Sequence, residues 1–159
     1  MSAEPLEEQL LQACTDRLAN LAVLLPSPHY VPKFVSRTFR ALDSVNDLPG
    51  YLVMLSAEES GAERQTIEDP DATMLATMGV DVYAYGAGSD LEPTDRVLIR
   101  LLADAERVLC ASGWLGDGPA IDVENTRRVI THETETGPPW RSLRSHTYRI
   151  RYLYTRGDP

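Results

Sequence analysis

Residues 93–119, PTDRVLIRLLADAERVLCASGWLGDGP, and residues 146–154, HTYRIRYLY, contain the pattern that decides the predicted fold. In the first stretch, apolar residues recur at helical spacing from Val97 to Leu109, with a proline before them and a glycine after them. In the second stretch, Tyr and Ile alternate with Thr and Arg, which is typical of a β-strand. An amphipathic helix followed by strands predicts a helix packed on a sheet.

The rest of the chain adds one predicted helix and further predicted strands. Residues 6–25 place leucines and one cysteine at intervals of three or four, which predicts a helix with one apolar side. The predicted strands are residues 31–42, 51–56, 73–85, 121–132 and 143–155. We therefore expect a single α+β domain over residues 1–159, in the order α-β-β-β-α-β-β. Its mostly antiparallel sheet of about five strands carries both helices on one face and leaves the other face, with Arg and Thr, available for contacts.

Length and composition are those of a globular domain. The chain has 159 residues, of which 43% are hydrophobic and 25% are charged. No apolar run approaches the ~18 residues of a membrane span, and the acidic N-terminus does not resemble a secretory signal. We expect synthesis and residence in a cytoplasm, with no membrane partner.

Charge is divided unevenly along the chain. Residues 1–124 carry a formal charge of −13, whereas residues 125–159 carry +4, which together give the net charge of −9. A negative body and a positive strand region are suited to pairing between copies of the chain, although ordinary solvated surface explains such a division equally well.

An acidic segment is predicted to form a long exposed loop between residues 58 and 71, because it contains little apolar sequence. Its carboxylates include Glu58, Glu59, Glu63, Glu68 and Asp69. These residues lack the spacing of a calcium-binding loop. Carboxylates in a flexible loop also lack the contrasting environments that acid–base catalysis needs.

No catalytic or cofactor-binding motif is recognisable. The sequence contains no phosphate-binding loop, no complete dinucleotide-binding fingerprint and no nucleophile elbow. The two cysteines favour buried free thiols over a metal site or a disulfide. His132 and His146 could meet across the last hairpin around a metal, but two strand histidines are far more often incidental. We therefore expect no enzyme activity, no cofactor and no metal.

Three motifs together resemble tail terminator proteins of long-tailed bacteriophages. They are LLADAERVL at 101–109, WLGDG at 114–118 and YRIRYLYTRGDP at 148–159. The order of the predicted elements also fits that family over most of the chain. The resemblance implies a structural virion protein of the tail and neck, assembled in the host cytoplasm. Such a protein forms a ring, usually of six copies, that caps the tail tube, ends its polymerisation and joins the tail to the head connector.

This resemblance implies three kinds of partner: further copies of the chain, the tail tube protein, and the head completion or connector protein. DNA is expected to pass through the ring without specific binding, because an acidic lining repels its phosphates. We place the acidic loop toward the lumen or the tube. The expected subunit contacts are Arg127, Arg128, Arg149, Arg151 and Trp114, since interface cores favour Trp and Arg. For Trp114, a role as an anchor in the core of its own subunit is an equal alternative.

Two alternatives stay open at the level of sequence. A head completion or head–tail adaptor protein shares a similar architecture and is barely separable from a terminator. A small ligand-binding α+β module of non-viral origin belongs to a different class, and it would require a pocket with convergent polar groups.

Overall fold

The computed structural model of this protein describes residues 4–62, 73–111 and 120–155. Within these ranges the chain forms three α-helices, one short 3-10 helix and five strands. In chain order they are α1 (Leu6–Ala19), α2 (Leu21–Leu24), β1 (Phe34–Ser36), the 3-10 helix (Leu42–Ser44), β2 (Gly50–Ala62), β3 (Thr73–Ala87), α3 (Thr94–Leu109), β4 (Ala120–Thr134) and β5 (Arg141–Thr155).

The strands form one mixed sheet in the order β1-β2-β3-β5-β4. β1 pairs with β2 in parallel, and every other pairing among the described strands is antiparallel. β3 and β5 pair without a register shift from Thr73 opposite Thr155 to Ala87 opposite Arg141. The predicted α+β fold with a mostly antiparallel sheet is therefore confirmed.

Helices α1 and α3 pack on the same face of the sheet, which we call the covered face. α1 contacts β1 and β2, while α3 contacts β3 and β5. The core between them contains the apolar sides of both helices and alternate residues of the strands, such as Tyr51, Val82 and Ile150. Burial of these side chains supplies the main driving force for folding. The prediction that both helices share one face is confirmed.

The first predicted helix, over residues 6–25, is divided in the structure. α1 ends at Ala19, and α2 continues for one turn from Leu21. Asn20 lies between them with ψ of 16°, and its side-chain amide donates to the Asp16 carbonyl at 2.9 Å. Asparagine competes for backbone groups in this way, which weakens a continuous helix.

The prediction of a strand over residues 31–42 was wrong in length. Strand β1 contains only Phe34–Ser36. The Ser36 hydroxyl accepts the Thr38 N–H at 3.0 Å and donates to the Thr38 carbonyl at 2.9 Å, so the backbone turns there instead of continuing beside β2. Local hydroxyl–backbone bonds of this kind compete with strand pairing.

The second face of the sheet, which we call the open face, is covered at one end only. There, Leu42 and Val45 pack with Leu52, Tyr85 and Leu143. The Tyr85 hydroxyl donates to the Arg40 carbonyl at 2.7 Å and fixes the same segment. The expectation of a wholly available face was therefore wrong at this end.

The acidic loop was predicted to begin too early. β2 continues to Ala62, and it pairs again with β3 through Gly61 and Ala62 after a register shift that begins at Ser56. Glu58 and Glu59 lie within β2 in this irregular stretch, because a bulge lets a strand accommodate extra residues and then resume pairing. Glu63, Glu68 and Asp69 lie outside the described residues.

Candidate assembly surface

Two of the predicted contact residues, Arg149 and Arg151, lie on the open face of β5. They alternate with Tyr148, Ile150 and Tyr152, which are buried in the core. Arg151 binds Asp122 of β4 through two hydrogen bonds, from Nε to Oδ1 at 3.0 Å and from Nη2 to Oδ2 at 2.6 Å. Both partners are nearly half exposed, so this ion pair adds little to stability.

Polar contacts continue along the open face toward the covered end. The Thr147 hydroxyl donates to Asp81 Oδ1 at 2.6 Å, which links β5 to β3. His132 Nε2 lies 2.8 Å from the Ser145 hydroxyl, and the His132 ring lies 4.7 Å from the ring of Tyr83. Burial lowers the pKa of His132, while Asp81 opposes that shift. Cross-strand pairs of this type stabilise the sheet.

The other two predicted contact residues, Arg127 and Arg128, lie in a bulge of β4. The register between β4 and β5 shifts between Asn125 and Val129, so both arginines fall within this irregularity of the strand pairing. Arg127 adopts φ of 59°, and its N–H donates to the Asn125 side-chain oxygen at 2.7 Å. Both arginines are exposed. Bulges at a sheet edge direct side chains outward in this way.

The structure thus brings the four arginines to neighbouring strands at one side of the sheet. The bulge lies opposite Thr147. The Thr147 hydroxyl donates to Asp81, and the Thr147 carbonyl accepts a hydrogen bond from the Thr126 hydroxyl at 2.9 Å. Arg149 follows two positions further along β5. The fifth predicted contact residue, Trp114, lies outside the described residues.

Strand β4 is the edge strand beside these arginines, and it is 15 residues long. All residues from 127 to 134 are exposed. The side chains of Val129 and Ile130 are 51% and 37% exposed. Unpaired backbone groups along an exposed edge, together with apolar side chains, form a template for association with another chain.

Sequence reasoning did not identify the acidic outer side of α1. Glu4, Glu8 and Asp16 lie there with two glutamines, around a shallow open groove of about 550 Å³. Arg37 binds Glu8 at 2.9 Å, and this hydrogen bond lowers the pKa of the Glu8 carboxyl. The sequence did contain a signal for this acidic side: Glu4, Glu8, Gln12 and Asp16 are four residues apart, and residues at that spacing are neighbours on a helix.

A second polar group missed from the sequence is the buried carboxylate of Asp104 in α3. Asp104 is fully buried, accepts the His29 backbone N–H at 2.6 Å and lies 2.8 Å from His29 Nδ1. It holds the segment that follows α2 against α3. An acidic residue within an otherwise apolar helix side was the available signal, because a buried charge requires partners.

The two strand histidines considered as metal ligands do not meet. His132 faces Tyr83 and Ser145 on the open face, whereas His146 lies on the covered side, where its Nδ1 is 3.1 Å from the Asn125 amide. Among the residues whose structure is described, no group of three potential metal ligands occurs.

Comparison of the sequence with protein-family models and with curated proteins finds no match. Among the helices in residues 4–62, 73–111 and 120–155, none is long and apolar enough to span a membrane.

Proposed function

We propose that this protein is a structural subunit of a long-tailed bacteriophage, assembling into a ring that caps the tail tube. The ring, a hexamer in the arrangement we favour, ends tube polymerisation and joins the tail to the head connector. The resemblance of the α3 segment, the glycine-rich turn and the last strand to tail terminator proteins supports the phage assignment.

The observation that carries the assembly part of this proposal is the edge strand β4 with its arginines. A protein that acts alone usually protects a long sheet edge with a covering element or short strands. Here residues 127–134 are exposed and combine two arginines with two aliphatic residues. Arginine is enriched at interfaces because its planar guanidinium binds carboxylates through two parallel hydrogen bonds.

A ring of six subunits has suitable dimensions for this role. A compact chain of this length has a radius of gyration of about 15 Å and is roughly 40 Å across. Six such bodies in a ring enclose an opening on the order of 40 Å. DNA passes through an opening of this size, and an acidic lining that includes the segment around Glu58 and Glu59 prevents it from adhering.

The decisive experiment adds the purified chain to polymerising tail tube subunits from the same genome. We expect shorter tubes with a ring at one end when the chain is present from the start. Chain added after polymerisation is complete is the control, and it leaves the tube lengths unchanged while still binding tube ends. Tube lengths and end structures are measured by electron microscopy.

Unchanged tube length and bare tube ends would contradict the terminator role. Binding to isolated head connectors, without binding to tubes, would favour a head completion protein instead. A chain that binds neither structure is not a neck component.

A further inference from the structure

The two lateral sides of the subunit are formed by different elements. The strand order β1-β2-β3-β5-β4 places β4 at one edge of the sheet. α1 contacts β1 and β2 and therefore lies toward the opposite edge. With adjacent strands about 4.8 Å apart, five strands separate the two sides by about 20 Å. A closed ring built from identical subunits requires two different patches on opposite sides of each subunit.

The β4 side is positively charged at its bulge, which lies between the exposed acidic residues Glu124 and Glu133. Arg127 and Arg128 lie in the exposed bulge, and Val129 and Ile130 follow them with exposed side chains. Asn125 binds the Arg127 N–H and fixes the backbone of the bulge. The arginines are therefore presented from a defined backbone rather than from a mobile loop.

The α1 side is negatively charged. Its outer groove is lined by Glu4, Glu8 and Asp16, with Gln9, Gln12 and Ala13. Arg37 already pairs with Glu8 at 2.9 Å, so the negative charge of this side rests mainly on Glu4 and Asp16. The outer side of α1 thus combines carboxylates with amide groups that can accept and donate hydrogen bonds.

We propose that the β4 edge of one copy, centred on Arg127 and Arg128, docks against the acidic outer side of α1 in the next copy. This inference rests on the proposed ring and identifies its subunit contact. The lengths agree: the eight exposed residues 127–134 of β4 extend about 26 Å, and the 14 residues of α1 extend about 21 Å. Opposite charge selects the register of such a contact.

Two charge-reversed variants test this contact. The first carries Arg127→Glu and Arg128→Glu, and the second carries Glu4→Arg and Asp16→Arg. Each variant alone brings like charges together, so we expect its assembly midpoint to move to at least about tenfold higher concentration. Assembly is measured by sedimentation velocity in solution and by the fraction of tube ends that carry a ring.

An equimolar mixture of the two variants provides the sharpest result. The reversed β4 of the first variant is then complementary to the reversed α1 of the second, while the unaltered surfaces also remain complementary. We expect the mixture to recover assembly with the two variants alternating, which neither variant achieves alone. Circular dichroism of each variant checks that the fold is retained.

Matched controls reverse exposed charges elsewhere, with Arg96→Glu on α3 and Asp43→Arg in the 3-10 helix. Both controls assemble as the unaltered chain does. If the α1 variant assembles normally while the unaltered chain forms rings, the inferred contact is wrong and the proposed function stands. If the mixture stays dissociated, the contact is also wrong. If the unaltered chain forms no ring either in solution or on tubes, the proposed function itself fails.

Discussion

The covered and open faces of the sheet differ in chemistry although the same strands build both. On β5, Tyr148 and Ile150 are buried under the helices, while Thr147 before them and Arg149 between them belong to the open face. Because strand side chains alternate, one set of residues specifies the fold and the other set specifies the surface. Adjacent substitutions in the middle of β5 are therefore expected to differ in effect, because one side chain lies under the helices and the next lies on the open face.

The two faces are expected to differ most in the loss of unfolding free energy when one leucine on each face is replaced by alanine. Leu101 of α3 is fully buried, so Leu101→Ala is expected to lower the free energy of unfolding by about 3 kcal/mol, through lost burial and a residual cavity. Leu153 of β5 is 41% exposed, and Leu153→Ala is expected to cost less than about 1 kcal/mol. Urea unfolding measures both values, and equal losses would refute the contrast.

Alkaline pH tests the covered face through Cys14. Burial raises the pKa of this thiol from 9.0 to about 12. As pH rises, the Cys14 thiol therefore loses its proton in the unfolded chain before it does so in the folded chain. Its contribution to the free energy of unfolding is complete below pH 9 and is lost as pH rises toward 12. We expect Cys14→Ala to reduce the loss of stability between pH 8 and pH 11 by on the order of 2 kcal/mol.

The control for this pH dependence is Cys110→Ala. Burial also raises the pKa of the Cys110 thiol, but this residue is partly exposed whereas Cys14 is buried. The alkaline loss of stability in this variant should match that of the unaltered protein more closely. Identical pH profiles for the Cys14 variant and the unaltered protein would contradict the prediction.

The buried carboxylate of Asp104 provides the next effect. Asp104→Ala leaves the His29 backbone N–H without its acceptor, and we expect a loss of about 2 kcal/mol in the free energy of unfolding. His29→Ala retains that backbone bond and removes only the half-exposed imidazole, so its loss should be smaller. Denaturant unfolding measures both losses. A larger loss for His29→Ala would mean that the imidazole contributes more to stability than the bond from the His29 backbone N–H to Asp104.

Substituting alanine for two separate glycines tests a smaller effect on stability. A Cβ at Gly86 would lie 3.1 Å from side-chain atoms of Leu101 and Val97, where α3 approaches the covered face. Gly86→Ala is expected to cost about 1 kcal/mol as the helix shifts. A Cβ at Gly137 meets no atom within 4 Å, so Gly137→Ala is the control. Thermal unfolding should show a lower midpoint for the first variant than for the second.

The smallest expected effect is on the open face. Arg151→Gln breaks an ion pair with Asp122 that is nearly half exposed on both sides. Exposed pairs contribute little after solvent screening, so the free energy of unfolding should change by no more than about 0.5 kcal/mol. A loss comparable to that of Leu101→Ala would mean that the open face also supports the fold.

Long periodic segments were predictable, whereas short and irregular ones were not. The α3 pattern from Val97 to Leu109 and the alternation in β5 predicted their elements, because burial imposes the period of each structure on its sequence. The length of β1 was overestimated because the hydrogen bonds between Ser36 and Thr38 depend on local backbone geometry, which the residue types alone do not specify. The pairing of Gly61 and Ala62 with β3 was missed because a bulge interrupts the period.

The candidate surface was predictable in composition and not in arrangement. Arg149 and Arg151 could be assigned to one face from their spacing of two. That Arg127 and Arg128 occupy a bulge beside them follows only from the β4–β5 register. The link between His29 and Asp104 joins residues 75 positions apart, a distance at which periodicity carries no information.

Sequence alone therefore determined the α+β class, the two main amphipathic helices and the uneven division of charge, because each of these depends on the order of apolar and charged residues. Tertiary structure alone decided which charges face outward together. It placed β4 and its arginines at one edge and the acidic side of α1 toward the other, because strand order and helix packing are long-range choices made by burial of the whole core.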